Sequence, residues 1–195
     1  NKIELYKADI SKREEAQNLI NFTINKFSSI DILINNAGIA IDTLYQDKSV
    51  ENFRKTLDIN LIGTFLMSKY VGDIMYENKK GSIINLTSTN GLHQYFPMSL
   101  DYDSSKAGII SLTHNLAVQY APHIRVNAVA PGWVATENEM KELDKEYIEL
   151  EEQNIFIRRF ADPLEVAKVI YFLASDDASY INNEVITVDG GTRHA

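Results

Sequence analysis

Residues 30–38 of the chain, Ile-Asp-Ile-Leu-Ile-Asn-Asn-Ala-Gly, join a compact apolar run to a small polar turn. A second apolar run, Gly81 to Leu86 (GSIINL), leads directly into Thr87 and Ser88. Short apolar runs without a polar face are typical of strands that are buried on both faces of a parallel sheet. Both runs therefore predict strands whose carboxyl ends carry polar residues, and ligands bind at that edge in sheets of this kind.

The rest of the chain alternates between strand patterns and helix patterns. Apolar spacing predicts a first helix over Lys12 to Phe27, with Ser11 as its N-cap. The other predicted elements are strands at Ile3 to Ala8, Ile124 to Val129 and Glu184 to Val188, and helices at Val50 to Met75, Tyr102 to Tyr120 and Pro163 to Ala174. This alternation predicts an α/β fold, a doubly wound parallel sheet of the Rossmann type with helices on both faces.

The composition restricts the class of protein. The chain has 195 residues, 45% of them hydrophobic and 24% charged, which predicts one globular domain over residues 1–195. A net charge of -8 disfavours binding to nucleic acid, and no apolar run approaches the roughly 20 residues of a membrane span. The chain has no cysteine, which excludes thiolate metal sites. With no signal-peptide pattern in residues 1–5, we expect a cytoplasmic protein.

The clearest chemical motif is Tyr102 followed by Lys106, with Ser88 before them in the chain. Residues four positions apart on a helix lie on one face. We expect the Lys106 ammonium to lower the pKa of the Tyr102 phenol from about 10, so that it exchanges protons near neutral pH. A serine hydroxyl at the end of the preceding strand could bind the same substrate oxygen. The three residues together suit the interconversion of an alcohol and a carbonyl.

Further short motifs accompany this one in a distinctive order. They are Asn35 to Gly38 (NNAG), Asp58 to Asn60 (DIN), Ile84 to Ser88 (INLTS), Tyr102 to Lys106 (YDSSK), Arg125 to Asn127 (RVN), Pro131 to Thr136 (PGWVAT), Phe172 to Ala178 (FLASDDA) and Val188 to Gly191 (VDGG). In this order they resemble the classical branch of the short-chain dehydrogenase/reductase family along essentially the whole chain. The resemblance implies hydride transfer between NAD or NADP and a carbonyl or secondary alcohol.

The resemblance also implies roles for individual residues. Tyr102 would be the general acid and base, and Ser88 would orient the substrate oxygen. Lys106 would hold the nicotinamide ribose, and Asn60 would complete a proton relay through a bound water. Cofactor contacts are implied for Tyr102, Lys106, Asp9, Ile10, Asn36, Ala37, Gly38, Pro131, Gly132, Val134 and Thr136. Asn35 is expected mainly to tie neighbouring strands together, and no metal ligand is implied.

One part of the family's pattern does not occur in this sequence. The glycine-rich phosphate loop, T-G-x-x-x-G-x-G, is absent, and the first predicted strand corresponds to the third strand of the family fold. We therefore expect the chain to lack the first βαβα portion, about 45 to 60 residues. As written, it should bind a dinucleotide poorly. The choice between NAD and NADP stays open, because it depends on the second strand.

The substrate and the assembly are less closely defined by the sequence. The acidic stretch at about 136–160 is expected to be either a solvated helical face or a lid over the substrate. The substrate is either a 3-oxoacyl group on acyl carrier protein or a small sugar, polyol or other alcohol. A non-catalytic dinucleotide-binding scaffold is the alternative from another class. Candidates for a basic surface that binds the acidic carrier protein are Lys79, Lys80, Arg125, Arg158 and Arg159. By resemblance we expect a homo-oligomer, a dimer or tetramer.

Overall fold

The computed structural model describes residues 2–192, which form a parallel four-stranded sheet with helices on both faces. The strands, in their spatial order, are β1 (Ile32–Asn35), β2 (Gly81–Leu86), β3 (Ile124–Pro131) and β4 (Val185–Val188). The helices are α1 (Arg13–Phe27), α2 (Val50–Leu57), α3 (Gly63–Glu77), α4 (Leu100–Tyr120), α5 (Glu139–Glu142), α6 (Lys145–Asn154) and α7 (Pro163–Ala174). The predicted α/β class and parallel sheet are confirmed. Residues 1 and 193–195 of the predicted domain lie outside the described part.

Two apolar layers hold the helices against the sheet. On one face, Ile83 and Val126 pack beneath α1, α3 and α4, where Met75 is fully buried. On the other face, Ile84 packs against Leu173 of α7. Because successive strand residues point to opposite faces, the neighbours Ile83 and Ile84 serve different layers. This explains why the run at β2 has no polar face.

The edge of the sheet at β1 differs from the prediction. β1 pairs only with β2 among the described residues, and Ile32 and Ile34 are 48% and 46% exposed, so the strand is not buried on both faces. The predicted strand at Ile3 to Ala8 is wrong as well, because this segment joins no sheet and Ile3 is 85% exposed. A strand needs a neighbour to receive its backbone hydrogen bonds, and no described strand lies beside this segment.

The predicted helix from Val50 to Met75 is interrupted in the structure. A π-helical turn at Asp58–Ile62 separates α2 from α3. Such turns are rare in proteins, and many of those that occur lie at functional sites. This one contains Asn60, whose side chain is fully buried. No helix within residues 2–192 has the length and apolar character needed to cross a membrane.

Other differences concern the ends of elements. Ser11 is not the N-cap of α1, because Lys12 holds that position and the Ser11 hydroxyl instead donates to Asp9 Oδ1 at 2.6 Å. α4 begins at Leu100, two residues earlier than predicted, so the chemical motif lies in the first two turns of the helix. The limits of β2 and α7 agree with the predictions from sequence.

Buried amide side chains join neighbouring strands near their carboxyl ends. Asn35 and Asn85 are register partners in β1 and β2. Asn35 Nδ2 donates to Asn85 Oδ1 at 2.8 Å and to Ser68 Oγ of α3 at 2.9 Å. Asn85 Nδ2 donates in turn to Thr113 Oγ1 of α4 at 2.9 Å. The prediction that Asn35 ties strands together is confirmed, and the same network reaches α3 and α4.

Candidate active site

A cavity of about 1040 Å³ lies at the carboxyl ends of the strands. Its walls are the segments that follow β1, β2 and β3, the first turns of α4, and the start of α7. Ser88, Tyr102 and Lys106 all line it. The fold therefore brings together the three residues that helix spacing, a strand end and their chemistry had connected in the sequence.

Tyr102 and Lys106 lie on successive turns of α4, and Ser88 approaches them from the end of β2. Lys106 Nζ lies 5.3 Å from the centroid of the Tyr102 ring and donates to the Leu86 carbonyl oxygen at 2.9 Å. Ser88 forms a side-chain hydrogen bond with Tyr102, and its hydroxyl oxygen accepts a bond from Asn90 N at 3.2 Å. A substrate oxygen that reached Tyr102 would thus also meet the serine hydroxyl.

The protonation of the pair differs from the sequence prediction. Burial raises the pKa of Tyr102 to about 12, against the opposing effect of its hydrogen bond with Ser88. Burial also lowers the pKa of Lys106 to about 8. The expectation that Lys106 brings the pKa of the tyrosine below its usual value is therefore wrong for this structure. At neutral pH the phenol carries its proton, which is the form that can protonate a carbonyl oxygen.

The turn after β1 lies against the same group of side chains. A Cβ at Gly38 would lie 3.3 Å from Asn60 Oδ1 and 3.6 Å from Lys106 Nζ, so only a small residue leaves this space open. The Asn60 amide donates to the Ile39 carbonyl oxygen at 2.9 Å and to Ser105 Oγ at 3.0 Å. Its oxygen accepts from Ile39 N at 2.8 Å. Asn60 Oδ1 and Lys106 Nζ therefore both lie beside Gly38, and the relay role of Asn60 stays a prediction.

The predicted cofactor contacts fall into two adjoining pockets and one exposed position. The residues that line the large cavity are Asn36, Gly38, Tyr102, Lys106, Pro131, Gly132, Val134 and Thr136. Ile10 and Ala37 line a smaller, mostly apolar pocket of about 280 Å³ beside β1, and Asn36 lines both pockets. Asp9 lines neither pocket, is exposed, and accepts hydrogen bonds from Ser11.

The larger cavity fits a nicotinamide cofactor in size and in chemistry. Its volume suits a cofactor with a small substrate, and the Lys106 ammonium with two hydroxyl groups can bind ribose and carbonyl oxygens. The space at Gly38, which a Cβ would fill, allows the backbone close to such a ligand. Within residues 2–192, no group of three or more His, Asp and Glu side chains could hold a metal ion.

Three carboxylates that were not predicted as site residues also line the cavity. They are Asp42, Glu139 and Glu151. Asp42 accepts a hydrogen bond from Ser99 Oγ at 2.6 Å, and burial raises the pKa of Glu139. Lys106 is the only lysine or arginine among the described residues that line this cavity. The acidic stretch was a visible signal for the two glutamates, but Asp42 reaches the cavity through a loop path that no local pattern shows.

The basic residues that were candidates for a carrier-protein surface do not line the cavity. Lys79 and Lys80 precede β2 and Arg125 is the second residue of β3, so these three lie at the opposite edge of the sheet. Arg125 donates to backbone carbonyl oxygens at the end of α7, which is a packing role. Arg158 and Arg159 lie at the end of the acidic stretch, and Arg159 pairs with a glutamate of α7.

The acidic stretch leaves and rejoins the fold at one point beside the cavity. A parallel bridge between Val134 and Ala161 closes its two ends. Trp133 stacks on Phe160 with the ring centroids 5.3 Å apart, and Trp133 Nε1 donates to Glu151 Oε2 at 3.1 Å. The two helices of the stretch, α5 and α6, have no buried residue. The stretch is therefore a loop with a fixed base and an open helical tip.

Known proteins are similar to this chain in sequence and in fold. The model of the family described as enoyl-(acyl carrier protein) reductase matches residues 1–193. The 3-oxoacyl-[acyl-carrier-protein] reductase of Synechocystis sp. is 41% identical over 186 residues, which are 94% of this chain and 73% of that protein. Glucose 1-dehydrogenase 2 of Bacillus subtilis is 35% identical over 189 residues, 94% of this chain and 72% of that protein. The solved structure titled "ElxO with NADP Bound" superimposes with a TM-score of 0.91 at 35% identity, covering 96% of this chain and 77% of that chain.

Proposed function

The chain belongs to the classical short-chain dehydrogenase/reductase family, and from this membership we propose how its cavity performs the reaction. The protein is an oxidoreductase that uses NAD or NADP to interconvert a carbonyl group and an alcohol. The observation that carries the site assignment is the meeting of Ser88, Tyr102 and Lys106 in one cavity at the carboxyl edge of the sheet.

In the proposed mechanism, Tyr102 donates its phenolic proton to the carbonyl oxygen as negative charge develops there. The nicotinamide cofactor, when bound, supplies the hydride that reaches the carbonyl carbon. Ser88 hydrogen-bonds the same oxygen and keeps it within reach of the phenol. The nearby Lys106 ammonium stabilises the phenolate that proton donation leaves behind. Asn60 holds the path by which a proton returns to Tyr102 through Lys106 and water.

The proposed cofactor contacts follow the two adjoining pockets. In the larger cavity, Asn36 and Gly38 would hold one end of the dinucleotide, and Pro131, Gly132, Val134 and Thr136 would hold the nicotinamide end. Ile10 and Ala37 would hold the adenine ring in the smaller pocket, whose apolar lining suits a flat aromatic group. Asp9, which precedes Ile10 in the chain but lines neither pocket, would contact the same ring through its backbone or its exposed carboxylate.

For the substrate, we propose first a 3-oxoacyl group carried by acyl carrier protein. The Synechocystis relative supports this choice, since it carries that activity in its name at 41% identity. A second candidate is a sugar or polyol. Its support is the cavity lining itself, because carboxylates such as Asp42 and Glu139 can accept hydrogen bonds from substrate hydroxyl groups. The same carboxylates would repel an acidic carrier protein.

Replacing Tyr102 with phenylalanine tests the site assignment. We expect kcat of the full-length protein to fall about 10²–10⁴-fold, because general acid catalysis typically contributes that much. Cofactor affinity, measured by fluorescence titration, should fall far less than kcat, because the Tyr102 hydroxyl is only one of the expected cofactor contacts. The matched control is Tyr95→Phe, which removes a hydroxyl group from a residue at the cavity rim that is 81% exposed. A Tyr102→Phe protein with the turnover of the parent would refute the assignment.

Neutralising two cavity carboxylates separates the substrate candidates. In the variant Asp42→Asn with Glu139→Gln, KM for a 3-oxoacyl carrier-protein substrate should fall, because repulsion is removed. KM for a sugar or polyol should rise instead, because charged acceptors are lost. The control is Glu137→Gln, an exposed residue of the same acidic stretch that does not line the cavity. The 3-oxoacyl candidate fails if the protein turns over only sugars or polyols, both at low salt and at high salt, where charge repulsion is screened.

The proposal extends to the lid, the assembly and the location of the protein. The acidic stretch at 136–160 acts as a lid over the bound substrate, for which its fixed base at Val134 and Ala161 provides a hinge. Chains pair as dimers or tetramers through the outer faces of α3 and α4, where Phe65 and Val118 are 40% and 70% exposed. A cytoplasmic location suits a chain without cysteine.

A further inference from the structure

Asp101, the residue immediately before Tyr102, forms a buried ion pair with Lys48. Lys48 Nζ is 2.7 Å from Asp101 Oδ1, and the two side chains are 3% and 0% exposed. Every other ion pair among residues 2–192 has both partners at least 39% exposed. Charged side chains are rarely buried so completely unless they are paired and hydrogen-bonded. This pair therefore differs in kind from the surface pairs of the protein.

Both members of the pair have further hydrogen-bond partners. Asp101 Oδ2 accepts a hydrogen bond from Thr56 Oγ1 of α2 at 2.7 Å, and Lys48 also donates to the Ile41 carbonyl oxygen. Burial alone would raise the pKa of Asp101, but hydrogen bonds from Lys48 and Thr56 lower it overall. The carboxylate is thus ionised, and both of its oxygens are fixed in direction.

These bonds connect one wall of the cavity to the helix that carries Tyr102. Ile39, Ala40 and Asp42 line the cavity, and Lys48 holds the carbonyl group of Ile41 between them. On the other side, Asp101 belongs to the first turn of α4 and its peptide bond continues into Tyr102. The ion pair is therefore a buried, charged link between the cavity wall and the residue to which we assign proton transfer, and the hydrogen bond from Ser99 Oγ to Asp42 Oδ1 lies beside it.

We propose that Lys48 and Asp101 are positioning residues, which fix the cavity wall at 39–42 relative to the hydroxyl of Tyr102. The inference rests on the role proposed for Tyr102. A buried charge pair is directional, whereas an apolar contact tolerates sliding, so the pair fixes a distance as well as a contact. The reaction is sensitive to such a distance, because a shift of about 1 Å can cost about 10²-fold in rate.

A variant without both charges separates positioning from simple stabilisation. Removing one partner alone leaves an uncompensated buried charge, which is strongly destabilising for any role of the pair. Lys48→Met combined with Asp101→Asn removes both charges and keeps both side-chain shapes. The new amide oxygen can still accept the Thr56 hydroxyl. The matched control is Lys26→Met with Glu4→Gln, which removes an exposed pair, 49% and 39% exposed, from outside the cavity.

For the double variant we expect kcat with a carbonyl substrate to fall about 10- to 100-fold, while the dissociation constant of the cofactor stays unchanged. Amide hydrogen exchange at residues 39–43 should become faster in the double variant and not in the control. A folded double variant with the kcat and the exchange rates of the parent would overturn the proposal.

A second variant keeps the test decisive if the double variant does not fold. Lys48→Arg retains the buried charge but changes its shape and hydrogen-bond directions. We expect it to fold with a lowered kcat, and an unchanged kcat would overturn the proposal. A parent protein that reduces no carbonyl substrate would instead contradict the proposed function. The exchange rates at residues 39–43 would still decide whether the ion pair holds the wall.

Discussion

Replacing Gly91 with alanine tests how closely the position of Ser88 is controlled. Gly91 ends the short 3₁₀ turn that follows Ser88, and this turn packs on the backbone of α4. A Cβ at Gly91 would lie 2.7 Å from the carbonyl carbon of Lys106 and 2.8 Å from Ala107 N. These are helix backbone atoms that cannot rotate away, so the turn itself has to move.

The contact distances set the size of the expected effect. Ordinary van der Waals contact begins at 3.4 Å, so relief of the clash needs a shift of about 0.7 Å. Thr87 Oγ1 donates to the Lys106 carbonyl oxygen at 2.8 Å and resists that shift. Because a misplacement of about 1 Å can cost about 10²-fold, we expect kcat/KM to fall about 10- to 100-fold. Overpacking should also lower the stability by about 1–3 kcal/mol.

The assay follows absorbance of the reduced cofactor at varied carbonyl concentration, with a thermal unfolding curve for each variant. Gly81→Ala is the control, because its Cβ would meet the buried Met75 side chain, with Sδ at 2.5 Å, and this similar overlap lies at the end of β2 opposite Ser88. It should keep the kcat/KM of the parent. If Gly91→Ala also keeps that value together with the parent's melting temperature, the backbone contact does not set the position of Ser88.

Three further predictions concern stability. Lys106→Met should raise the melting temperature at pH 7, because burial lowers the pKa of Lys106 from 10.5 to about 8 and so disfavours the charged form. The free energy of unfolding should rise by at most about 3 kcal/mol. Since the unfolded chain binds more protons between those values, the parent gains stability as pH rises from about 8 to above 10. The advantage of the variant should shrink there, and a constant difference would contradict the assigned cause. Asp162→Ala removes the capping box of α7 and should lower the free energy of unfolding by about 1 kcal/mol. The melting temperature should then be about 2–4 °C lower. An unchanged melting temperature would show that Pro163 alone starts the helix. Asn85→Leu removes the hydrogen bonds that Asn85 forms with Asn35 and Thr113. The free energy of unfolding in urea should fall by about 1–3 kcal/mol. A urea midpoint equal to that of the parent would show that water replaces the amide.

The sequence predicted the elements whose signals are local. The limits of α7 follow from Asp162 and Pro163, which are the cap and first residue that a helix favours. The limits of β2 follow from an apolar run between a basic pair and two hydroxyl residues. The grouping of Ser88, Tyr102 and Lys106 could be predicted because helix spacing and the carboxyl edge of a parallel sheet are general geometry.

The sequence could not predict features that depend on several segments at once. The raised pKa of Tyr102 depends on its burial in the assembled cavity, and a helical spacing contains no information about solvent. Lys48 and Asp101 are 53 positions apart, and neither has a local pattern that separates it from a surface residue. The exposure of β1 depends on what lies beside the strand, which the run of residues 30–35 does not show.

The amide pair between β1 and β2 has a consequence for the whole upper edge of the sheet. If β1 slid by one residue along β2, Asn35 would turn towards the opposite, apolar layer and lose its partner. A shift in the register of β1 is thus opposed by the loss of the amide hydrogen bond as well as by side-chain packing. The loops that begin at Asn36 and Thr87 therefore start at fixed positions relative to each other along the strands. The side chains of both loops are positioned by that register.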